Sequence, residues 1–184
     1  MRFCPNCGTK VNFQIPPGDN RERAVCPHCE HIDYDNPNVI TGTLPIFENK
    51  VLLCKRNIEP RFGYWTLPAG FMENQETTKE GALRETLEES GSHAICGPAF
   101  SMISIPHINQ VHLFYLATLP KADFHPTEES SEVELFEYDD IPWDDIAFSS
   151  VSKTLEFYLE DIKKGAFDFH EDTIFPTQSQ QLKE

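Results

Sequence analysis

Two groups of side chains in this 184-residue chain have the types and spacing to hold a metal ion. The first is a set of two Cys-x-x-Cys pairs, made of Cys4, Cys7, Cys26 and Cys29, with 18 residues between the pairs. Each pair turns two thiolates toward one point, and together they give the four-sulfur set that Zn²⁺ prefers. Four protein ligands leave no open position on the ion, so the spacing predicts a structural zinc site. Two disulfides or a redox pair are the alternatives. Disulfides fit poorly with an expected cytoplasmic location, and redox motifs do not usually occur as a symmetric duplicate.

The second group lies on a helix predicted for residues 77–90. Thr77 and Glu80 form a capping-box pattern at its start. At about 100° per residue, Leu83 and Leu87 share one side of this helix and predict its buried face.

Three carboxylates crowd the other side of the helix. Glu85, Glu88 and Glu89 are spaced i, i+3 and i+4, so their charges repel one another. A divalent cation such as Mg²⁺ converts this repulsion into binding, because it prefers oxygen ligands and keeps waters for substrate phosphates. Arg84 can orient Glu88 by a helical ion pair, and carbonyl groups of the loop at 67–71 can complete the coordination. A solvated acidic face is the alternative.

The elements that must position these side chains follow from the apolar pattern. Residues 1–38 hold four of the six cysteines and no helical period, so they predict a small separate zinc module. The predicted strands are 39–47, 51–54, 111–119 and 133–136, and a second amphipathic helix is predicted for 149–164. This mixture predicts an α+β fold or an α/β/α sandwich over residues 39–168, followed by a weakly ordered tail at 169–184.

The loop and the carboxylate helix resemble the Nudix box, GX5EX7REUXEEXGU, in which U is a bulky aliphatic residue. Every glycine and charged position of the pattern is present, namely Gly70, Glu76, Arg84, Glu85, Glu88, Glu89 and Gly91. The two U positions hold Thr86 and Ser92 instead, a departure that concerns packing more than chemistry. The resemblance implies the Nudix α/β/α sandwich and Mg²⁺- or Mn²⁺-dependent hydrolysis of a nucleoside diphosphate linked to another moiety.

By position, the resemblance assigns metal ligation or base catalysis to Glu85, Glu88 and Glu89. It also makes the carbonyl of Ala69 a further metal ligand. It also implies that Gly70 allows a tight turn and that Arg84 and Glu76 tie the loop to the helix. Family members often add a carboxylate from a later loop. Glu129 is the preferred candidate for this further metal ligand. Glu132 is the other candidate, and it is expected to lie beside the substrate.

Aromatic and basic residues just before the box are candidates for binding substrate. Tyr64 and Trp65 can stack on a nucleobase, and Arg56 or Arg61 can contact phosphate. The alternative places both aromatic side chains in the core. A zinc ribbon before a Nudix domain is similar to the NADH pyrophosphatase group, but the SQPWPFPxS stretch of that group is absent here. ADP-ribose, FAD or a related ADP-linked compound is therefore the expected substrate.

Charge and hydropathy bear on the remaining functions. A formal net charge of -15 predicts no nucleic-acid partner, because phosphate binding needs positive patches. No apolar run is long enough to span a membrane and no apolar leader begins the chain, so a cytoplasmic location is expected. A nucleotide-binding regulator with a Nudix fold and a partner-binding ribbon is the alternative to an enzyme. Because homodimers are frequent in this family, the resemblance also leaves a homodimer open.

Overall fold

Two compact units make up the chain in the computed structural model, which describes residues 2–176. The chain divides between Pro37 and Asn38. The first unit holds an antiparallel sheet of β1 (Asn12–Gln14), β2 (Arg23–Val25) and β3 (Ile32–Asp33), in that order. Its core is a small cluster formed by Cys4, Val11, Ala24 and Cys26. So few buried apolar side chains stabilise little by themselves.

The second unit is built on a mixed sheet. In chain order its strands are β4 (Asn38–Phe47), β5 (Lys50–Arg56), β6 (Trp65–Thr66), β7 (Ala69–Phe71), β8 (Ile95–Ile105), β9 (Gln110–Thr118), β10 (Ser130–Glu137) and β11 (His170–Thr173). Across the sheet the order is β10, β5, β4, β9, β8, β11, with β6 paired to β5 and β7 to β4. The β4–β9 and β8–β11 pairs are parallel and the others are antiparallel. All four predicted strands are confirmed, whereas β6, β7, β8 and β11 were not predicted.

Two helices cover opposite faces of this sheet. They are α1 (Thr78–Ser90) and α2 (Ser149–Lys164), and both were predicted. Successive strand residues point to opposite faces. In β4, Thr43 contacts α1, whereas its neighbour Leu44 packs in the cluster that contains Leu155 of α2. The predicted α/β/α sandwich is therefore confirmed. Within residues 2–176, no helix has the length and apolar character needed to cross a membrane.

Both ends of α1 are fixed by capping interactions. The Glu80 N–H donates to the Thr77 hydroxyl at 3.2 Å, and the Thr77 N–H donates to the Glu80 carboxylate at 2.7 Å. At the other end Gly91 has a φ of 67°, a conformation that glycine adopts without strain. The predicted capping box is confirmed, and it sets where the carboxylates of the helix begin.

The buried face of α1 differs from the prediction. Leu87 is 40% exposed, whereas Glu85 and Glu89 are 8% and 5% exposed. The apolar face predicted from Leu83 and Leu87 is therefore wrong. Small residues of the helix, such as Ala82, face the sheet instead, because they let the helix approach closely. With the helix rotated in this way about its axis, two of its carboxylates are buried.

The two residues that depart from the box pattern are buried and hydrogen-bonded. Thr86 Oγ1 donates to the Ala82 carbonyl at 2.7 Å and lies 2.6 Å from Thr43 Oγ1, whose proton it accepts. Both threonines are fully buried. Ser92 is 2% exposed, and its N–H donates to Ser90 Oγ at 3.2 Å. Hydrogen bonds thus replace an aliphatic contact between helix and sheet.

This threonine pair leads to a stability prediction. Thr86→Val should lower the free energy of unfolding by about 1 to 3 kcal/mol, because the Thr43 hydroxyl loses its acceptor. The double variant Thr43→Val/Thr86→Val should recover most of that loss, because neither buried hydroxyl remains. Urea unfolding measures both. A double variant less stable than Thr86→Val would contradict the pairing.

The segment predicted as a weakly ordered tail contains β11, so the prediction is wrong for residues 170–173. The fully buried carboxylate of Asp161 accepts a hydrogen bond from His170 Nε2 at 2.7 Å. The ring of His170 also stacks on Phe157, with centroids 4.4 Å apart. These contacts hold a short polar strand that carries no apolar run of its own. Residues 177–184 of the predicted tail lie outside the described residues.

Candidate functional site

The four paired cysteines lie together in the first unit. Cys4 Sγ is 3.6 Å from Cys29 Sγ, and Cys7 Sγ is 3.5 Å from Cys26 Sγ. All four sulfur atoms lie within 4.8 Å of one another, and none forms a disulfide. Zn–S bonds of about 2.3 Å in a tetrahedron separate the sulfurs by about 3.8 Å, so the cluster fits a zinc ion.

A cleft of about 810 Å³ in the second unit contains most of the other predicted site residues. Those that line it are Arg56, Arg61, Ala69, Gly70, Arg84, Glu85, Glu88, Glu89 and Glu129. Three elements supply its acidic side: α1, the loop at β7, and the loop before β10. Tyr64, Trp65 and Glu132 do not line this cleft.

Arg84 connects the loop to the helix, as predicted. Its Nε and Nη2 donate to the two carboxylate oxygens of Glu76 at 3.0 and 2.8 Å, and Nη2 also reaches the Phe71 carbonyl at 3.1 Å. Its Nη1 donates to Glu85 at 2.6 Å and to Glu88 at 2.9 Å. The guanidinium lowers the pKa of Glu76 to about 2, so this carboxylate stays charged at any working pH. The arginine therefore fixes two of the three helix carboxylates.

Close approach at the loop requires a glycine. A side chain at Gly70 would overlap the carboxylate of Glu85. The predicted reason for this glycine was a tight turn, whereas the structure shows that its missing side chain makes room for a carboxylate. The strand β7 can then lie directly against the acidic side of α1.

Burial raises the proton affinity of two helix carboxylates. It raises the pKa of Glu89 to about 8, helped by the charges of Glu85 and Glu129. Burial also raises the pKa of Glu85, although Arg84 opposes the shift. Among residues 2–176, Glu89 Oε2 is a buried oxygen with no hydrogen-bond partner. Such an oxygen is suited to receive a proton or a cation.

The two later carboxylates occupy different places. The Glu129 N–H donates to Thr127 Oγ1 at 3.3 Å, and Thr127 Oγ1 donates to the carbonyl of Glu89 at 3.3 Å, so this loop is anchored to α1. Glu132 lies opposite Lys55 in the sheet and accepts from Lys55 Nζ at 2.9 Å. Its predicted place beside the substrate is wrong, because the strand register pairs it with a surface lysine.

This contrast gives a matched pair of variants. Glu129→Gln should lower kcat/KM for the substrate by about ten- to hundredfold, because it removes one negative charge from the cleft. Glu132→Gln, an identical change three residues away, should leave kcat/KM within about twofold. Steady-state kinetics on both proteins decides the point. Equal losses in the two variants would contradict the assignment.

The aromatic residues before the box do not form a stacking platform. Trp65 is 7% exposed in the main core and meets Phe136 edge to face, with centroids 4.9 Å apart. Its carbonyl accepts the Ala147 N–H at 2.8 Å. Tyr64 is half-buried and lies beneath the guanidinium of Arg61 at 5.5 Å. The prediction that Tyr64 and Trp65 stack on a base is wrong, and the core alternative holds for Trp65.

The basic residues face the cleft. Arg56 Nε donates to the Pro60 carbonyl at 2.8 Å, and its guanidinium lies 5.1 Å from the ring centre of Phe148. Arg56 lowers the pKa of Glu89, against the effect of burial, so the two side chains sense each other's charge. Arg61 lines the same cleft from a positive φ of 66°. Two cations thus line the same cleft as the carboxylates.

One wall of the cleft was predicted only in part. From the sequence, Gln110 was a candidate substrate contact with a surface loop as the favoured alternative, whereas His112, Phe148 and the start of α2 were not predicted to line the cleft. The available signal in the sequence was His112, because it alternates along β9 with residues that face α1. That pattern identifies a polar side chain on the α2 face, although not the cleft beside it.

Comparison with known proteins identifies the family. The profile of the NUDIX domain matches residues 37–154, more than half of the chain. The chain belongs to the Nudix family. The profile of the zinc ribbon at the N-terminus of Nudix proteins matches residues 2–35, which hold all four paired cysteines. Both the Nudix resemblance and the zinc ribbon are therefore confirmed.

Several relatives and solved structures are similar to this Nudix protein. A crystal structure of a NUDIX hydrolase from Nitrosomonas europaea is 49% identical, with a TM-score of 0.92, and covers 95% of this chain and 99% of that one. An ADP-ribose pyrophosphatase of Methanocaldococcus jannaschii is 27% identical over 59% of this chain and 67% of its own length. An NAD-capped RNA hydrolase, NudC, of Vibrio parahaemolyticus is 28% identical over 77% of this chain. The chain spans about half the length of that hydrolase, 53%.

Proposed function

We propose that this Nudix protein is a Mg²⁺- or Mn²⁺-dependent pyrophosphohydrolase that cleaves a nucleoside diphosphate linked to another moiety. ADP-ribose and FAD are the substrates we favour, with AMP and a second phosphate compound as products. The observation that carries the proposal is the cleft itself, in which Glu85, Glu88, Glu89 and Glu129 face Arg56 and Arg61. Carboxylates gather cations, and arginines bind phosphate.

The donor types and charge of the carboxylates suit a divalent cation, although within residues 2–176 only the four cysteines have ligand atoms that all lie within 4.8 Å of one another. Glu89 Oε2 is buried without a partner among residues 2–176, and burial raises the pKa of both Glu85 and Glu89. A positive charge in the cleft would give this oxygen a partner and would lower the pKa of both carboxyl groups. The residues that would hold the ion are Glu85, Glu88, Glu89 and Glu129, together with the carbonyl of Ala69. A structural Zn²⁺ in the ribbon is the second metal that we propose.

Side chains of the protein accept the proton, bind the phosphates and hold the carboxylates in place. A bound divalent ion would neutralise the pyrophosphate and lower the pKa of the attacking water. Glu89 is suited to accept the water proton, because the proposed ion would keep it ionised and its second oxygen lies in the same cleft. The water oxygen bonds to phosphorus, the bridging P–O bond breaks, and the leaving phosphate takes that electron pair. Arg56 and Arg61 hold the phosphates, while Arg84 keeps Glu85 and Glu88 in place.

The substrate choice rests on two observations. The SQPWPFPxS stretch of the NADH pyrophosphatase group is absent. One relative is named ADP-ribose pyrophosphatase and several are named NAD-capped RNA hydrolases. ADP-ribose and NAD each contain adenosine joined through a diphosphate to a second ribose. Because the second name includes RNA, the absence of a nucleic-acid partner stays a prediction, as do the homodimer and the cytoplasmic location.

A substrate panel tests the proposal. The zinc-loaded protein is incubated, with and without Mg²⁺, with ADP-ribose, FAD, NADH, diadenosine polyphosphates and nucleoside triphosphates, and the products are separated by chromatography. We expect Mg²⁺-dependent release of AMP from ADP-ribose or FAD. Absence of turnover for every compound would overturn the proposal and favour the nucleotide-binding regulator.

A further inference from the structure

A row of three hydrogen-bonded side chains forms part of one cleft wall. Gln110 and His112 come from β9, and Ser150 comes from the first turn of α2. His112 Nδ1 is 2.9 Å from Ser150 Oγ, and His112 Nε2 is 3.0 Å from Gln110 Oε1. The proposed hydrolysis uses none of these three residues, so the row is free to serve another purpose.

The buried serine sets the direction of the hydrogen bonds. Ser150 is 1% exposed, and within residues 2–176 its hydroxyl has no partner other than His112. Its proton must go to Nδ1, since a buried hydroxyl proton would otherwise lack an acceptor. His112 then carries its own proton on Nε2 and donates it to Gln110 Oε1. Burial lowers the pKa of His112 to about 4, so the ring is neutral near pH 7.

This direction fixes the amide of Gln110. Its Oε1 faces His112 and keeps one lone pair, and its NH₂ group has no partner among the described residues 2–176. The side chain therefore offers an acceptor and a donor side by side, in a set order. A glutamine held in this way pairs through two hydrogen bonds with adenine, whose amino group lies next to a ring-nitrogen acceptor.

The surroundings of Gln110 suit a flat apolar group. Ile105 lies directly opposite it in the sheet, and Ile108 and Ile174 line the same part of the cleft. From the strand register, Gln110 is about 14 Å from Gly70 at the acidic end. An extended nucleoside diphosphate has a length of this order, so one molecule can reach both ends.

We propose that Gln110, oriented by His112, selects a nucleobase that carries an amino group beside a ring-nitrogen acceptor, as adenine does. The inference rests on the proposed pyrophosphohydrolase and names the base that it recognises. Adenine offers N6–H next to the N1 acceptor, which matches Oε1 and the NH₂ group. Hypoxanthine offers the O6 acceptor next to N1–H. This order is reversed, so both of its groups are mismatched against a fixed amide.

The test compares ADP-ribose with its inosine analogue, in which hypoxanthine replaces adenine. The unmodified protein should favour ADP-ribose in kcat/KM by roughly ten- to hundredfold. Gln110→Ala should bring that ratio to within about threefold, mainly by raising KM for ADP-ribose. Asn109→Gly is the matched control, because Asn109 is exposed, lies outside the cleft lining and has a φ of 53° that glycine adopts.

His112 is a positioning residue, and its variant gives a different signature. In His112→Phe/Ser150→Ala the amide of Gln110 can rotate by 180°, so kcat/KM for the inosine analogue should rise toward that of ADP-ribose. A merely structural role would lower both values together. The thermal midpoint of each variant shows that the protein folds.

The outcomes separate this inference from the function on which it rests. Turnover of both compounds at equal rates by the unmodified protein would overturn base selection and leave the hydrolase standing. Absence of any turnover would overturn the hydrolase. Calorimetric binding of AMP and IMP then tests base selection. We expect the unmodified protein to bind AMP more tightly than IMP, and Gln110→Ala to lose this preference. Equal binding of AMP and IMP would overturn the selection.

Discussion

Glu89→Gln should lower kcat for the substrate about a thousandfold while the fold stays intact. The reason is that the amide cannot accept the proton of the attacking water and holds a cation less strongly. Steady-state kinetics with Mg²⁺ measures the loss, and circular dichroism checks the fold. Glu134→Gln is the matched control, because Glu134 is an exposed strand residue outside the cleft lining, and it should behave as the unmodified protein does. An unchanged kcat in Glu89→Gln would remove the residue from the mechanism.

The same substitution should stabilise the protein when no Mg²⁺ is present. Burial raises the pKa of Glu89 to about 8 from an ordinary value of 4.5. A carboxyl with a raised pKa in the folded state contributes stability below pH 4.5, and this contribution is lost as the pH rises through 8. At pH 9 we expect Glu89→Gln to unfold with a free energy on the order of 5 kcal/mol higher than the unmodified protein.

Urea unfolding at pH 4 and pH 9, in buffer free of Mg²⁺ and with the zinc retained, checks this expectation. The advantage of Glu89→Gln should be small at pH 4 and large at pH 9. Added Mg²⁺ should then stabilise the unmodified protein more than the variant. An advantage that is the same at both pH values would indicate better packing and not relief of a buried charge.

Cys26→Ser should abolish zinc binding and unfold the first unit. The reason is that the hydrophobic cluster of this unit has only four members among residues 2–37, so the free energy of zinc binding supplies most of its stability. We expect zinc content to fall from one ion per chain to less than a tenth. Limited proteolysis should cut within residues 2–37 and spare the second unit.

Cys96→Ser is the matched control for the zinc experiment. Cys96 is a half-buried residue outside the sulfur cluster, so its zinc content and its cleavage pattern should not change. A Cys26→Ser protein that resists proteases and keeps its ion would contradict the structural role of the metal.

The chemistry of the site could be predicted from the sequence to the extent that it is local. A box pattern and a helical period place Glu85, Glu88 and Glu89 together, and two Cys-x-x-Cys pairs are enough for a zinc site. The side of the helix that faces the sheet could not be predicted. Helical periodicity gives the angle between Leu87 and Glu89, whereas burial depends on how closely small residues such as Ala82 can approach the sheet.

Long-range pairing explains the other differences. β11 is a short polar strand that forms because β8 offers a parallel edge and Asp161 holds His170, and neither cause can be seen in residues 170–173. Similarly, the register of β10 with β5 decides that Glu132 meets a lysine while Glu129 enters the cleft. Trp65 was ambiguous because an aromatic residue beside a loop packs equally well in a core or on a ligand.

The parallel pairing of β11 with β8 has a consequence for folding during synthesis. Strand β8 is complete at residue 105, yet the strand that covers its edge begins at residue 170. Until that segment leaves the ribosome, β8 offers unpaired N–H and C=O groups to any other extended chain. Ile174, which follows directly and lines the cleft, arrives equally late. The residues of the zinc ribbon and of the acidic helix therefore leave the ribosome well before those that complete the cleft and the sheet.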